Sequence, residues 1–397
     1  MALTDFRPEF DNSYQEVFQK ALVSKEIMNT RFEAKLKAGE SVERVAFNID
    51  GVQVRDVTRG SDSTIDTVTD SSELLTINIE KEAVFRISDG EVTQAGQLNP
   101  GEVIGGKIAH KVAQSLDYAC FSEVSNAANT FDNGDLTTLS SSGTAITLSS
   151  TTVPQMVTRM SAKLRYAAQQ EEQSNLALVV DSYAAADIEQ YLMGKDIDIA
   201  GSVFKNGYAG IVRNAQLYVS ENLQGQVDLV VDVASADETI SIFGVTFTAK
   251  LVPAVAGEFD IGADVDTQGA TMANMINGSA TGQNSATGYF EVSAANRQIL
   301  TNAQVAATYT AATDTLTITA AGRIIYSDTL SGTVTNKLHA YFGKKGAIDL
   351  VVQDLSPVDM RPESRQRATV VFSSYLAGIK TFADGAKKFL DVHILVA

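Results

Sequence analysis

A chain of 397 residues with 44% hydrophobic and 20% charged side chains can bury more than one core, so neither a disordered segment nor a membrane-embedded bundle fits its composition. Its net charge of −17 argues against a protein that grips nucleic acid through a broad basic face. One cysteine, Cys120, excludes an intrachain disulfide framework and thiolate-rich zinc sites, and the three histidines, His110, His339 and His393, form no short ligand motif.

No apolar run is long enough to span a bilayer. The opening MALTDFRPEF lacks a basic segment followed by an apolar core, so no secretory signal is expected and assembly in the cytoplasm follows. Residues 1–45 read as an arm with helical character. Val17, Phe18, Ala21 and Leu22 share one face, Gly39 is a stop, and the segment is too charged for a core helix. It suits a neighbouring surface.

From 46 to 90, two strand-like arms flank a Ser/Thr/Asp-rich stretch. FNIDGVQVRDVTRG alternates around Val52, Val54 and Val57, and ELLTINIEKEAVFRIS alternates from Leu75 through Ile77 and Ile79 before slipping phase. Arms of about fifteen residues reach ~50 Å. A two-stranded ribbon is marginal by itself in water, so either its own domain or a neighbouring subunit must complete it.

Residues 99–129 predict a long helix, with Asn99 as cap and Pro100 in the first turn. Ile104, Ile108, Val112, Leu116, Cys120 and Val124 recur every four residues, which makes Cys120 a buried small hydrophobe rather than a reactive thiol. Residues 130–150 form a polar loop with a strand-like AITLSS. A second helix begins near Pro154, with an apolar face of Met156, Val157, Met160, Leu164 and Ala168 and a basic face of Arg159, Lys163 and Arg165. The strand NLALVVD, the helix SYAAADIEQYLM, the glycine turn KNGYAGIVRN and the strand AQLYVSENL then suggest a mixed sheet with flanking helices.

The texture changes over 222–335, where charge thins and Thr, Ala, Val and Gly take over. Short alternating strands such as TISIFGVTFTAK and DTLTITA predict an independent, mainly β domain. It holds eleven acidic against three basic residues, a net −8 of the −17. Strands recur at 347–352, 367–378 and 389–396, so this domain interrupts a larger one. The fold class is α+β.

Candidate chemistry is sparse. Asp260, Asp264 and Asp266 lack the spacing and glycine of a calcium loop, and Asp196 with Asp198 is no better. Gly201, Gly207 and Gly210 do not make a phosphate cradle, and no G-x-S-x-G or P-loop motif is present. No catalytic, cofactor or metal site is expected, and the chain is not read as an enzyme. Arg361, Arg365 and Arg367 are the densest basic spot and suit a subunit contact. The face Arg159, Lys163 and Arg165 is the better candidate for a surface turned toward nucleic acid.

The order of these parts resembles the major capsid protein of tailed bacteriophages, the Hong Kong 97 capsid fold. VQVRDVTRG and LTINIEKEAVFRISD carry the likeness, with NGYAGIVRNAQLYVSENL and the closing RATVVFSSYLAGIKTFADGAKKFLDV, and it covers about 1–221 and 336–397. The resemblance implies an N-terminal arm (1–45), an extended loop (46–90), a peripheral domain with a spine helix (91–174) and an axial domain in two parts (175–221 and 336–378). It also implies a C-terminal return to the peripheral domain (379–397). The β domain at 222–335 is similar in position to the insertion of one branch of that family.

The implied function is structural. Hexamers and pentamers would build an icosahedral phage head around double-stranded DNA, touched through weak non-specific contacts. Implied partners are further copies of the chain, a scaffolding protein, a portal protein and a decoration protein, with no membrane and the virion as location. Arg55, Arg59, Lys81 and Arg86 of the loop, with Arg361, Arg365 and Arg367, are the expected intersubunit contacts. Some relatives crosslink through a loop lysine; Lys81 is the one lysine of this loop, and no crosslink is expected of it. Two other readings stay open: an encapsulin-like bacterial nanocompartment shell of the same fold, and a hydrolase or sugar-binding protein with a β accessory domain.

Overall fold

The structure, a computed structural model, describes residues 22–31, 41–48, 52, 55–56, 65–67, 69–88, 100–168, 174–193, 208–212, 215–363 and 368–396. Most of the expected arm, residues 89–99, Asp196, Asp198, Gly201 and Gly207 lie outside the described residues. In chain order the first elements are α1 (Ser24–Ile27), β1 (Ser41–Asn48), β2 (Thr69–Thr76), β3 (Ile79–Ser88), α2 (Pro100–Ser122), β4 (Asn129–Phe131), α3 (Thr152–Ala168), β5 (Leu176–Val180) and α4 (Ser182–Met193). Next come β6 (Tyr208–Val212), β7 (Ala215–Val219), β8 (Gln224–Val230), β9 (Thr239–Ile242), β10 (Val245–Lys250), β11 (Glu258–Asp260), α5 (Val265–Asn277) and α6 (Ala294–Asn302). The last are β12 (Ala306–Thr310), β13 (Thr315–Ala321), β14 (Tyr326–Asp328), β15 (Val334–Lys344), β16 (Asp349–Glu363), β17 (Ala368–Lys380), α7 (Ala383–Ala386) and β18 (Phe389–Leu395). The α+β class expected from the sequence is what these elements make.

The chain divides into two compact units, Met1–Leu116 with Lys345–Lys388, and Asp117–Lys344 with Phe389–Ala397. Helix α2 contributes to both. Its buried side chains include Ala109, Val112, Ala113, Leu116 and Cys120, and Val124 is buried in the 3₁₀ turn Glu123–Asn126 that follows. A strict four-residue recurrence advances about 40° per step on a helix of 3.6 residues per turn. The two alanines fill in the face that such a drifting series leaves incomplete.

The first unit is built on the antiparallel sheet β16-β17-β3. Along β17, Val371, Ser373, Tyr375 and Ala377 are buried while Val370, Phe372, Ser374 and Leu376 are half-buried. That alternation is the signature of a sheet covered on one face. Strand β16 runs for 15 residues, but its pairing shifts between Ser356 and Asp359. Pro357 sits in that gap, where a residue without an N–H cannot hold the ladder.

A second, two-stranded sheet pairs β1 with β2, from Ser41↔Thr76 to Asn48↔Thr69. The hairpin exists, but its first arm is not the one the alternation suggests. Val52, Arg55 and Asp56 are described outside any strand, and Ser41–Asn48 does the pairing. The second arm breaks after Thr76, and β3 leaves the ribbon to pair with β17. The phase slip in the sequence marks that change of partner.

The base of the ribbon is anchored in its own unit. Leu75 is buried in a cluster with Val351 and Phe382, against which Val42 and Ile77 pack. A side chain at Gly378 would lie 2.8 Å from Thr76 O and 2.9 Å from Leu75 Cδ2. Gly378→Ala is therefore expected to cost about 1–3 kcal/mol through overpacking, read as a lower urea midpoint at unchanged slope.

The arm also has an inward end. Leu22, Val23, Ile27 and Met28 are buried. Asn29 bridges to Asp349, with Asn29 N donating to Ile348 O at 2.8 Å and Leu350 N to Asn29 O at 3.0 Å. The expectation of an arm lying wholly along a neighbour does not hold for residues 22–31, because four apolar side chains within seven residues suffice to seat a single turn.

The second unit holds a nine-stranded sheet. Its main path is β12-β13-β8-β15-β5-β7-β6, with β18 on β15 and β4 on β18. Strand β15 organises it. One edge pairs with β18 over Lys337–Gly343; the other pairs with β8 over Val334–His339 and with β5 over Tyr341–Lys344. The stretch 222–335 has its own core, including Leu229, Phe247, Phe259, Met272, Tyr289 and Leu316. It also has its own four-stranded sheet, β11-β10-β9-β14. Its first strand nevertheless continues the large sheet, so it is not the independent body expected.

The strand partners also redraw two other boundaries. Of the expected axial segment 336–378, β15 belongs to the second unit while β16 and β17 belong to the first. Strand β18, expected to return to the body of the spine helix, instead closes on β15. Pairing is non-local, and nothing in the alternation of a strand names its neighbour.

Candidate functional site

Of the seven cations expected at subunit contacts, Arg55, Lys81, Arg86 and Arg361 are described, and Arg59, Arg365 and Arg367 lie outside the described residues. Arg55 forms a two-pronged pair with Asp66, at 2.7 and 2.9 Å, so its charge is answered inside its own loop. Arg86 and Arg361 are both register partners of Val370, one from each neighbouring strand. The sheet therefore brings them into one row on one face.

Lys81 stands five residues from Arg86 in an uninterrupted strand, so it projects from the opposite face. Its Nζ donates to Ser115 Oγ at 3.2 Å, and Ser115 Oγ lies 3.2 Å from Tyr375 Oη. Partial burial lowers the Lys81 pKa from the ordinary lysine value. The expected contact residues thus do not form one patch.

The face that carries Arg86 and Arg361 is open. Val84 is about half exposed beside its register partner Phe372, and the Arg361 guanidinium lies 5.1 Å over the Phe372 ring. Further apolar side chains are exposed at Ile65 in the hairpin loop (89%), and at Leu251 (73%), Val252 (68%) and Val255 in the loop after β10.

At the foot of the hairpin a charged network ties the unit together. Arg44 from β1 donates to Asp384 Oδ2 at 2.6 Å, approaches Asp349 Oδ2 at 3.4 Å and stacks 5.1 Å over Phe382. Asn29 donates to the other Asp349 oxygen, and Lys388 pairs with Asp384 at 3.0 Å. Asp349 is 1% exposed, and burial pushes its carboxyl up against the pull of Asn29 and Arg44.

The expected basic face of α3 is divided. Lys163 is buried and paired with Asp135, Arg159 donates to Thr137 O at 2.7 Å, and Arg165 is exposed. Lys163 sits next to Leu164 at the border of the apolar stripe, and a single 3₁₀ turn, Asn133–Leu136, supplies its acid. That turn is closed by a capping box between Asp132 and Asp135. Asp132 also accepts from Gly134 N, Ser142 N, Gly143 N and Ser141 Oγ, at 2.5 to 3.0 Å. Burial would raise its carboxyl, but these donors outweigh it and hold the pKa below the ordinary value.

The acidic trio of the insertion has structural duties. Asp264 caps α5 by accepting from Thr267 N at 2.7 Å, Asp266 accepts from Tyr309 Oη at 2.9 Å, and Asp260 ends β11. Gly210 lies in β6.

A polar cluster that the sequence did not announce lies in the large sheet. His339 on β15 and His393 on β18 are direct register partners, and Asp391 shares the face of His393 two residues away. Asp391 Oδ2 lies 2.8 Å from His339 Nδ1 and 2.9 Å from His393 Nε2, and the rings meet edge to face at 4.9 Å. His339 Nε2 lies 2.9 Å from Gln226 Oε1. Burial alone would raise Asp391, but the hydrogen bonds and charge of the two histidines hold it below the ordinary carboxylate value. The D-x-H spacing at 391–393 in an alternating strand was the available signal; the register that adds His339 was not.

No family model matches the chain, and no curated protein does. Solved structures do align with it along most of its length. "Capsid of Ralstonia phage GP4" aligns at TM-score 0.46 and 9% identity, over 91% of this chain and 84% of that one. "Mycobacterium phage Che8" aligns at 0.45 and 10%, over 92% and 89%. "Capsid structure of the Cyanophage P-SCSP1u" aligns at 0.44 and 11%, over 94% and 86%.

Proposed function

We propose that the chain is a structural shell subunit, the major capsid protein of a tailed phage, built into hexamers and pentamers of an icosahedral head around double-stranded DNA. The observation that carries this reading is the ribbon β1-β2 with the long sheet β16-β17-β3. The ribbon is anchored at its foot by Leu75 and Arg44, while the open face beside β3 displays Val84, Phe372, Arg86 and Arg361. A two-stranded ribbon gains stability from added strands or a covering surface. Contiguous exposed apolar side chains such as Leu251, Val252 and Val255 are the kind that association covers.

Arms and ribbons bury more area against several neighbours than a smooth globule does, which is what a closed shell asks of each subunit. Among the described residues no helix is long and apolar enough to cross a membrane. A scaffolding protein during assembly, a portal and loosely held DNA are the partners this function calls for; a decoration protein is an optional addition to it. The virion is the location it implies.

The test is assembly. Co-produced with its scaffold, the chain is expected to form closed shells by negative-stain imaging and light scattering; a chain that stays monomeric under all such conditions overturns the reading. Replacing residues 52–66 by a short Gly/Ser turn should leave the thermal midpoint nearly unchanged and abolish shells. Normal shells from that variant would remove the ribbon from the assembly contacts.

A further inference from the structure

We propose that His339 Nδ1, His393 Nε2 and an Asp391 carboxylate oxygen form a binding site for one divalent transition cation of the zinc class, clipped across strands β15 and β18. This inference is independent of the shell reading. The three ligand atoms come from buried residues and all lie within 4.8 Å of one another. Two imidazoles and a carboxylate suit zinc-class ions rather than magnesium or calcium.

The surroundings fix which ring nitrogen of His339 faces the ligand set. Gln226 Nε2 donates to both oxygens of Asp228, at 2.8 and 2.9 Å. Asp228 is itself held by Lys337 Nζ at 3.1 Å and Thr317 Oγ1 at 2.9 Å. An amide whose nitrogen faces a carboxylate has its orientation decided, so Gln226 turns its oxygen to His339 Nε2. His339 Nε2 therefore donates to Gln226, and Nδ1, which in the cation-free site donates to Asp391 at 2.8 Å, is the nitrogen that would give up its proton to a cation. A ring N–H held by a carbonyl outside the ligand set is the usual support of a metal-bound histidine.

A second observation points the same way. Asp391 Oδ1 is buried with no hydrogen-bond partner among the described residues, although Oδ2 serves both histidines. Gln224, the register partner of His339 in β8, likewise has a buried Oε1 without a partner. Buried acceptors of this kind are costly unless a donor or a cation meets them. A tetrahedral zinc site spaces its ligands by about 3.3 Å, so the two contacts to Asp391 need to open by roughly half an ångström and the two histidine nitrogens, within 4.8 Å of each other, need to reach the same spacing through side-chain torsions.

The experiment uses the full chain stripped with chelator and then loaded with Zn²⁺ or Co²⁺. One equivalent of Zn²⁺ is expected to remain after gel filtration, and Co²⁺ should give the intense visible absorption of a tetrahedral site. His339→Gln and His393→Gln should each abolish both, while His110→Ala keeps both. Gln226→Met should weaken Zn²⁺ binding about 10–100-fold without removing it. Absence of both signals in the wild-type chain, a measurement that needs no variant to fold, overturns the site in favour of hydrogen bonds alone. Retention unchanged in both histidine variants overturns the ligand assignment.

Discussion

Asp132→Ala is expected to destabilise the second unit by about 1.5–3 kcal/mol. The buried carboxylate gathers the N–H groups of Gly134, Ser142 and Gly143 and the Ser141 hydroxyl. Alanine removes the one acceptor these donors share, leaves them to water and, for Gly134 N, to Ser142 Oγ, and opens the capping box that presents Asp135 to Lys163. Denaturant unfolding at neutral pH measures the loss; a change under 1 kcal/mol would mean that water replaces the carboxylate. The pH dependence has a definite sign. The folded pKa is depressed, so the stabilisation is complete above the unfolded carboxyl value of about 3.9 and disappears as pH falls through the folded value. Below about pH 4 the wild-type and alanine stability curves should therefore converge.

Arg44→Met should cost about 2–4 kcal/mol near neutral pH, because it leaves Asp349 buried with Asn29 but without its cation. Here the sign is opposite. Burial raises the folded Asp349 pKa, so the proton is bound more readily in the folded state, and charging this group opposes folding as pH rises. The variant should recover part of its loss in mild acid, where a protonated Asp349 needs no counter-charge. A penalty independent of pH would show that the lost packing on Phe382, not the charge, is what the substitution removes. Since Arg44 sits at the foot of the ribbon, limited proteolysis within residues 52–66 should also speed up.

Much of the fold was legible because it rests on local periodicity. Helices α2, α3 and α4, β5 and strands of the insertion lie where their apolar spacing put them, though α2 ends at Ser122, short of the expected 129, and Cys120 is buried as its place in the helical series implied. Local rules failed where partners matter. The valine alternation of FNIDGVQVRDVTRG places the first arm at 47–60, but Ser41–Asn48 is the strand that finds β2 and overlaps it only at Phe47 and Asn48. Lys163 read as part of a basic face because its acid, Asp135, comes from a separate turn. Arg86 and Lys81 read as one contact set, yet five residues of strand put them on opposite faces.

The sequence by itself determined the element types, the acidic β-rich stretch with its own core and the absence of a recognisable catalytic motif, since each depends on spacing within one segment. Tertiary structure alone decided which strands share β15, how β3 leaves the ribbon for β17, and that His339 and His393 meet across a strand pair with Asp391 between them. Register between segments 50 residues apart is set by the whole sheet's burial and hydrogen bonding, and no local pattern encodes it.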